Sequence, residues 1–286
     1  MPGQSDGGKR QQALRVATAQ AVASPGDVEG NAETAVRLIE TAAASGAALI
    51  VFPELFLCCY DLGLLRRDPG RCDIAADDAR LDPVRDACRA AATAAVVSGS
   101  VLADGGRSRT IAALVIDRHG NLVARYDKQH VWRDERPLFR AGTSDCRIDI
   151  EGWRLGVGIC YDAKFPEHAR AAALAGADAY LCPSAYRDPP VVHPVRALEN
   201  TMYVVFSNLL GEADGVRFCG RSSIYGPEGE TLADAGPSRE GLAIADFEAA
   251  VLADVRESSP MLHEVVALQR PAARRAADEE LASAHR

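Results

Sequence analysis

The chain has 286 residues, 48% of them hydrophobic, and a formal net charge of -8. That length supports a sizeable core, and the acidic balance excludes a nucleic-acid footprint, because phosphate binding needs clustered Lys and Arg. No run reaches the roughly 20 consecutive apolar residues of a membrane-spanning helix, and positions 1–10 lack the apolar stretch of a signal peptide, so a cytoplasmic location without membrane partners is expected.

Positions 1–12 are polar and expected to be disordered. An apolar alternation then predicts a strand over 13–20, and helical spacing through Ala35, Leu38, Ile39 and Ala42 predicts a helix over 29–45, ended by Gly46. The continuous apolar run 47–52 reads as a strand buried on both faces, which stops at Pro53 and leaves Glu54 at its carboxyl end. A helix over 81–95 is expected next, then strands at 96–102, 110–116 and 122–126, the last two joined by a turn at 117–121. Lys128 follows directly. A strand at 153–159 delivers Cys160, followed by a helix over 166–175 and a strand at 179–183. Alternating strands and helices without a long linker predict one α/β layered domain over 13–270, with a polar tail at 271–286.

The eight cysteines lie mostly inside apolar segments, which points to reduced thiols rather than a disulfide scaffold. The six histidines are dispersed and Cys58 and Cys59 are adjacent, a pattern that does not suit a tetrahedral metal site, so no metal is expected. Most buried cysteines are small hydrophobes. Cys160 differs because an ionisable Glu54 and Lys128 also end buried strands, and such groups are costly inside a protein without a task or a partner.

Seven blocks now gain meaning together: Phe52-Pro53-Glu54-Leu55, Tyr126-Asp127-Lys128-Gln129-His130, Ile159-Cys160-Tyr161-Asp162, Phe165-Pro166-Glu167, Gly176-Ala177-Asp178, Arg196-Ala197-Leu198-Glu199-Asn200 and Phe218-Cys219-Gly220-Arg221-Ser222. In them the chain resembles the nitrilase, or carbon-nitrogen hydrolase, superfamily over about 14–260. The resemblance implies a four-layer α-β-β-α sandwich, a homodimer or larger homo-oligomer built by sheet extension, and catalysis by Glu54, Lys128 and Cys160 without a cofactor. It also implies a second glutamate, for which Glu135 occupies the matching place; the alternative is a surface Glu135 paired with Arg133 or Arg136.

These residue types suit an amide. The thiolate is the reactive form of cysteine, a carboxylate can shuttle the proton between thiol, leaving amine and water, and a lysine with a backbone N–H can stabilise an oxyanion. The blocks around Trp153 and Phe165 resemble aliphatic amidases acting on short amides, including 5-aminovaleramide amidase and the R-stereoselective amidases. A small linear amide losing ammonia is therefore the expected substrate. N-carbamoyl amine hydrolysis is the main alternative, strict nitrile hydrolysis and a non-catalytic scaffold being further ones. Tyr60, Trp132, Tyr161 and Tyr186 are candidate pocket residues, and Asp61 or Asp162 is a candidate for a cationic substrate end. Three features depart from the amidase pattern: a short connection over 183–199, Cys58-Cys59 before Tyr60, and Lys164.

Overall fold

The computed structural model of the chain describes residues 12–188 and 191–268. The first half holds β1 (Leu14–Gln20), α1 (Val28–Ala44), β2 (Leu49–Val51), α2 (Leu62–Arg67), β3 (Asp73–Ile74), α3 (Asp82–Ala91), β4 (Ala94–Ala103), β5 (Ser108–Ile116) and β6 (Leu122–Asp127). The second half holds β7 (Cys146–Ile150), β8 (Trp153–Val157), α4 (Pro166–Leu174), β9 (Ala179–Ser184), α5 (Val192–Asn200), β10 (Tyr203–Asn208) and β11 (Leu210–Ala213). It continues through β12 (Val216–Cys219), β13 (Ser223–Tyr225), β14 (Thr231–Asp234), β15 (Gly241–Phe247), α6 (Ala249–Ser258) and α7 (Met261–Leu268).

Among the described residues one sheet runs β15-β1-β2-β4-β5-β6, with β3 beside β4, and a second runs β14-β13-β10-β9-β8-β7. Each has a parallel centre, β1-β2-β4 in one and β8-β9-β10 in the other, flanked by antiparallel strands. Parallel strands need both faces covered. The outer faces carry α1 and α3 on one sheet and α4 and α5 on the other, and the inner faces meet at β1 and β10. The layers are therefore α-β-β-α, as the resemblance implied.

The inter-sheet contact is apolar but stitched by hydroxyls. Thr18 Oγ1 donates to the Phe206 carbonyl at 2.9 Å, and Ser207 Oγ lies 2.9 Å from the carbonyls of both Ala19 and Val51. Such pairing removes the cost of burying polar groups between two sheets. α1 begins at Asp27, whose carboxylate accepts the Gly30 N–H, and buries Val28, Ala32, Ala35, Ile39 and Ala42 along one stripe.

Several predicted boundaries shift. The strand expected over 47–52 pairs only at Leu49–Val51, and the strand expected over 153–159 ends at Val157. The helix expected over 81–95 stops at Ala91, because Ala92 takes the left-handed conformation (φ 51°) and Ala94 and Ala95 already belong to β4. An alanine-rich run suits either state, so its pattern does not mark the change. Of the terminal segments, 1–11 and 269–286 lie outside the described residues; Gln12 is held through its carbonyl by the Trp153 indole N–H at 2.9 Å.

Candidate active site

Three strand ends converge. Pro53 stops β2 from extending its ladder, and Glu54 follows with its N–H bonded to the Ser184 carbonyl of the second sheet. Lys128 comes directly after β6, its N–H on Ile111 and its carbonyl accepting the Gly142 N–H at 2.8 Å. Gly142 is required there, since a Cβ would stand 2.1 Å from the Asp127 carbonyl oxygen. Cys160 lies three residues beyond β8 and opens a tight helical turn, Cys160–Lys164. Gly158 allows that exit, because a Cβ would stand 1.8 Å from the Tyr180 hydroxyl.

Cys160 itself has φ 47°, in the left-handed region that non-glycine residues adopt at a cost. Cys160 lines a cleft of about 890 Å³, and Tyr186 donates its hydroxyl to the Cys160 carbonyl at 3.3 Å.

Lys128 is fully buried, and its Nζ lies 2.6 Å from Glu54 Oε1 and 2.9 and 2.8 Å from the two oxygens of Glu135. Glu135 also accepts the Tyr60 hydroxyl at 2.5 Å and the Trp132 N–H at 2.7 Å. The surface alternative for Glu135 is overturned: Arg133 pairs with Asp134, Arg136 bonds the Val131 carbonyl, and Glu135 is 1% exposed. Glu54 differs from Glu135 in one respect. Its Oε2 is buried without a hydrogen-bond partner among the described residues.

The charges explain the protonation states. Burial pushes the Glu54 carboxyl up to about 7, opposed by the Lys128 ammonium and assisted by the Glu135 charge. Burial works against the Lys128 ammonium, but Glu54 and Glu135 outweigh it and hold the group above its ordinary value. Burial, and after it the Glu54 charge, holds the Cys160 thiol well above its ordinary value, with Lys128 and the Ala185 N–H pulling the other way. The resting sulfur therefore keeps its proton beside a carboxylate that titrates near neutrality.

Tyr60, Trp132, Tyr161 and Tyr186 all line the cleft with Cys160 and Glu135, and Trp132 meets Tyr161 edge-on at 4.7 Å between ring centroids. The two aspartates considered for a cationic substrate end do not line it. Asp61 caps α2 by accepting the Leu64 N–H, and Asp162 is fully buried. Asp162, His130 and His168 bring ligand-type atoms within 4.8 Å of one another, but these are engaged: His130 bonds Asp162, and the two His168 nitrogens meet the hydroxyls of Tyr126 and Tyr180. All eight cysteines are free, six of them buried and Cys160 and Cys219 partly exposed. A second cleft of about 730 Å³ beside Asp117, Arg118 and Glu151 contains none of Glu54, Lys128, Glu135 and Cys160.

Sequence reasoning missed the Ala185 N–H beside the sulfur and the cleft wall supplied by Asp214, Val216 and Phe218 on the β11-β12 hairpin. A backbone donor has no sequence signature, and a distant hairpin reveals its placement only after folding.

Fold and site together define a hydrolase of the carbon-nitrogen hydrolase family, whose sequence profile matches residues 15–257; the chain belongs to that family. It is 36% identical to a protein of Pseudomonas protegens described as a hydrolase in the pqqF 5' region, over 85% of this chain and 86% of that one. A 2-oxoglutaramate amidase of Bacillus subtilis is 28% identical over 77% of this chain and 85% of its own. Among solved structures an amidase from Nesterenkonia sp. superposes with a TM-score of 0.75 at 30% identity, covering 87% of this chain and 96% of that one. A cysteine-to-alanine variant of that amidase, with the same TM-score and identity over 86% of this chain and 95% of its own, was solved in complex with butyramide.

Proposed function

We propose that the chain is a cysteine-dependent amidase that hydrolyses a small linear primary amide to a carboxylic acid and ammonia through a thioester on Cys160. The observation that carries this reading is the division of labour within Glu54: Oε1 is held by Lys128, while Oε2 is buried without a partner in a carboxylate whose proton affinity responds to the neighbouring thiol. That oxygen takes the thiol proton as sulfur attacks the amide carbonyl carbon. The oxyanion forms between Lys128 Nζ and the backbone N–H of Tyr161, near the start of a helical turn where such groups lack an acceptor within the turn.

Collapse of the intermediate breaks the carbon–nitrogen bond, and Glu54 returns the proton to the departing nitrogen, which leaves as ammonia. Water then attacks the thioester, with Glu54 accepting its proton, to release the acid and restore the thiol. Glu135 holds Lys128 and the substrate amide. Tyr60, Trp132, Tyr161 and Tyr186 form the walls that receive the acyl chain, and no cofactor or metal takes part. The butyramide complex of the Nesterenkonia relative supports a short acyl group. The same reading has one catalytic domain over 13–270 acting in the cytoplasm as a homodimer or larger homo-oligomer.

Ammonia release across short aliphatic amides, ω-amino amides, amides bearing a carboxylate, N-carbamoyl amines and nitriles tests the proposal. Primary amides are expected to be the best substrates. Stoichiometric carbon dioxide with ammonia from the best substrate would move the assignment to N-carbamoyl amines.

A further inference from the structure

Asp162 is fully buried two residues after Cys160, and its carboxylate makes four short contacts. Oδ1 accepts the backbone N–H of His130 at 2.8 Å and meets His130 Nδ1 at 2.8 Å. Oδ2 accepts the backbone N–H of Ile159 at 2.9 Å and the Tyr126 hydroxyl at 2.7 Å. Tyr126 and His130 stand two residues before and two residues after Lys128, and Ile159 immediately precedes Cys160. One carboxylate thus ties down both flanks of the lysine and the residue that enters the nucleophile's bend.

We infer that Asp162 is a positioning residue, a clamp whose two oxygens each hold one backbone segment and so fix the separation of the Lys128 ammonium from the Cys160 sulfur. This rests on the catalytic reading of Lys128 and Cys160 given above. A buried carboxylate is costly and persists where its acceptor capacity is filled. Burial raises the Asp162 carboxyl, but the bonds from His130, Ile159 and Tyr126 and the nearby His168 outweigh it and hold the group below its ordinary value. It is therefore an ionised acceptor, which suits two backbone donors that cannot reverse their polarity. The Cys160 backbone, at φ 47°, also needs outside support to keep its conformation. Further support comes from His130, whose ring stacks on Phe165 at 3.8 Å, at the end of the turn that Cys160 begins.

The geometry makes Asp162→Asn informative. The two backbone donors use different oxygens, so either orientation of the amide points an NH2 group at one backbone N–H. Tyr126→Phe and His130→Ala each remove one side-chain bond to Asp162, together with the Tyr126 hydroxyl's bonds to His168 and the Gln129 N–H or the His130–Phe165 stack, and leave both backbone donors paired. Steady-state kinetics with butyramide, the rate of Cys160 alkylation by iodoacetamide across pH, and melting temperature are to be measured on the same preparations, all in the otherwise intact chain.

A folded Asp162→Asn protein is expected to lose about a hundredfold in kcat with KM changed by less than about threefold, since small misplacements of reacting groups carry costs of that size. Its alkylation profile should shift in pH as well, because the sulfur no longer stands at the same distance from Lys128. Tyr126→Phe and His130→Ala should keep kcat within about tenfold of the parent. Parent-like kcat and alkylation in a folded Asp162→Asn protein would overturn the inference. If that variant does not fold, the two side-chain variants decide: near-parent kcat in both supports the backbone clamp, and a hundredfold loss in either folded variant overturns it. An inactive parent would contradict the amidase reading, whereas the alkylation comparison still reports on the clamp.

Discussion

Lys128 Nζ lies 2.6 Å from Glu54 Oε1, yet the second oxygen of the same carboxylate is buried without a hydrogen-bond partner among the described residues. The lysine therefore orients its neighbour without saturating it. An unpaired buried acceptor costs stability, and placing one beside a thiol makes that cost part of the chemistry.

The pH dependence follows from this arrangement. Glu54 must be ionised to take the thiol proton, and its carboxyl is pushed up to about 7 by burial, against the pull of Lys128. The rate should therefore fall as pH drops through neutrality, with an ascending limb in kcat/KM near pH 7, reported as an apparent value of the coupled site. A profile flat from pH 5 to 8 would show that no base with this titration is needed.

Stability should carry the opposite signature. The folded-state value for Glu54 lies above its ordinary value of 4.5, so the folded chain binds more protons than the unfolded chain between those limits. Its stability contribution is present below about pH 4.5 and is lost as pH rises through about 7. Glu54→Gln cannot ionise and escapes that loss. The melting temperature of the variant relative to the parent should be higher at pH 8 than at pH 5, by a few degrees, while turnover is lost. An equal difference at both pH values would contradict the assignment of the raised carboxyl.

Glu135→Gln replaces one oxygen by an NH2 group where Lys128, Tyr60 and the Trp132 N–H all present donors. One donor must then face another. The expected result is a folded protein with an alkylatable Cys160 and a kcat reduced by roughly a hundredfold or more. Near-parent turnover would confine Glu135 to a structural role.

The other cysteines should be dispensable for chemistry. Cys58 is buried, and Cys219 Sγ contacts the Asp188 carbonyl at 3.2 Å, so both serve local packing and bonding. Cys58→Ala and Cys219→Ala should retain measurable ammonia release at 25 °C, the former with a lower melting temperature from the small cavity it leaves. Complete loss of turnover in folded Cys219→Ala would give that thiol a part in the reaction.

The strand ends that carry Glu54, Lys128 and Cys160 were legible because an ionisable or nucleophilic residue directly after an apolar run stands out. The edge strand β7 was not, since its five residues alternate buried and exposed positions too briefly to be distinguished from a loop. β15 was also missed. It completes the first sheet by pairing antiparallel with β1, Leu14 opposite Phe247, and no local pattern announces a partner more than 200 positions away. From sequence, Asp162 is one of two alternative candidates for a cationic substrate end, with Asp61, whereas its carboxylate is bonded by two inner chain segments, 126–130 and the Ile159 backbone. Spacing gives the position of such a group but not the direction of its side chain.

The most direct test of the thioester is intact and peptide-level mass spectrometry of the protein quenched in acid during butyramide turnover. The expected result is a butyryl adduct on the peptide containing Cys160, with Cys160→Ala giving neither adduct nor ammonia. Ammonia released by a folded Cys160→Ala protein at the parent's rate would contradict the account.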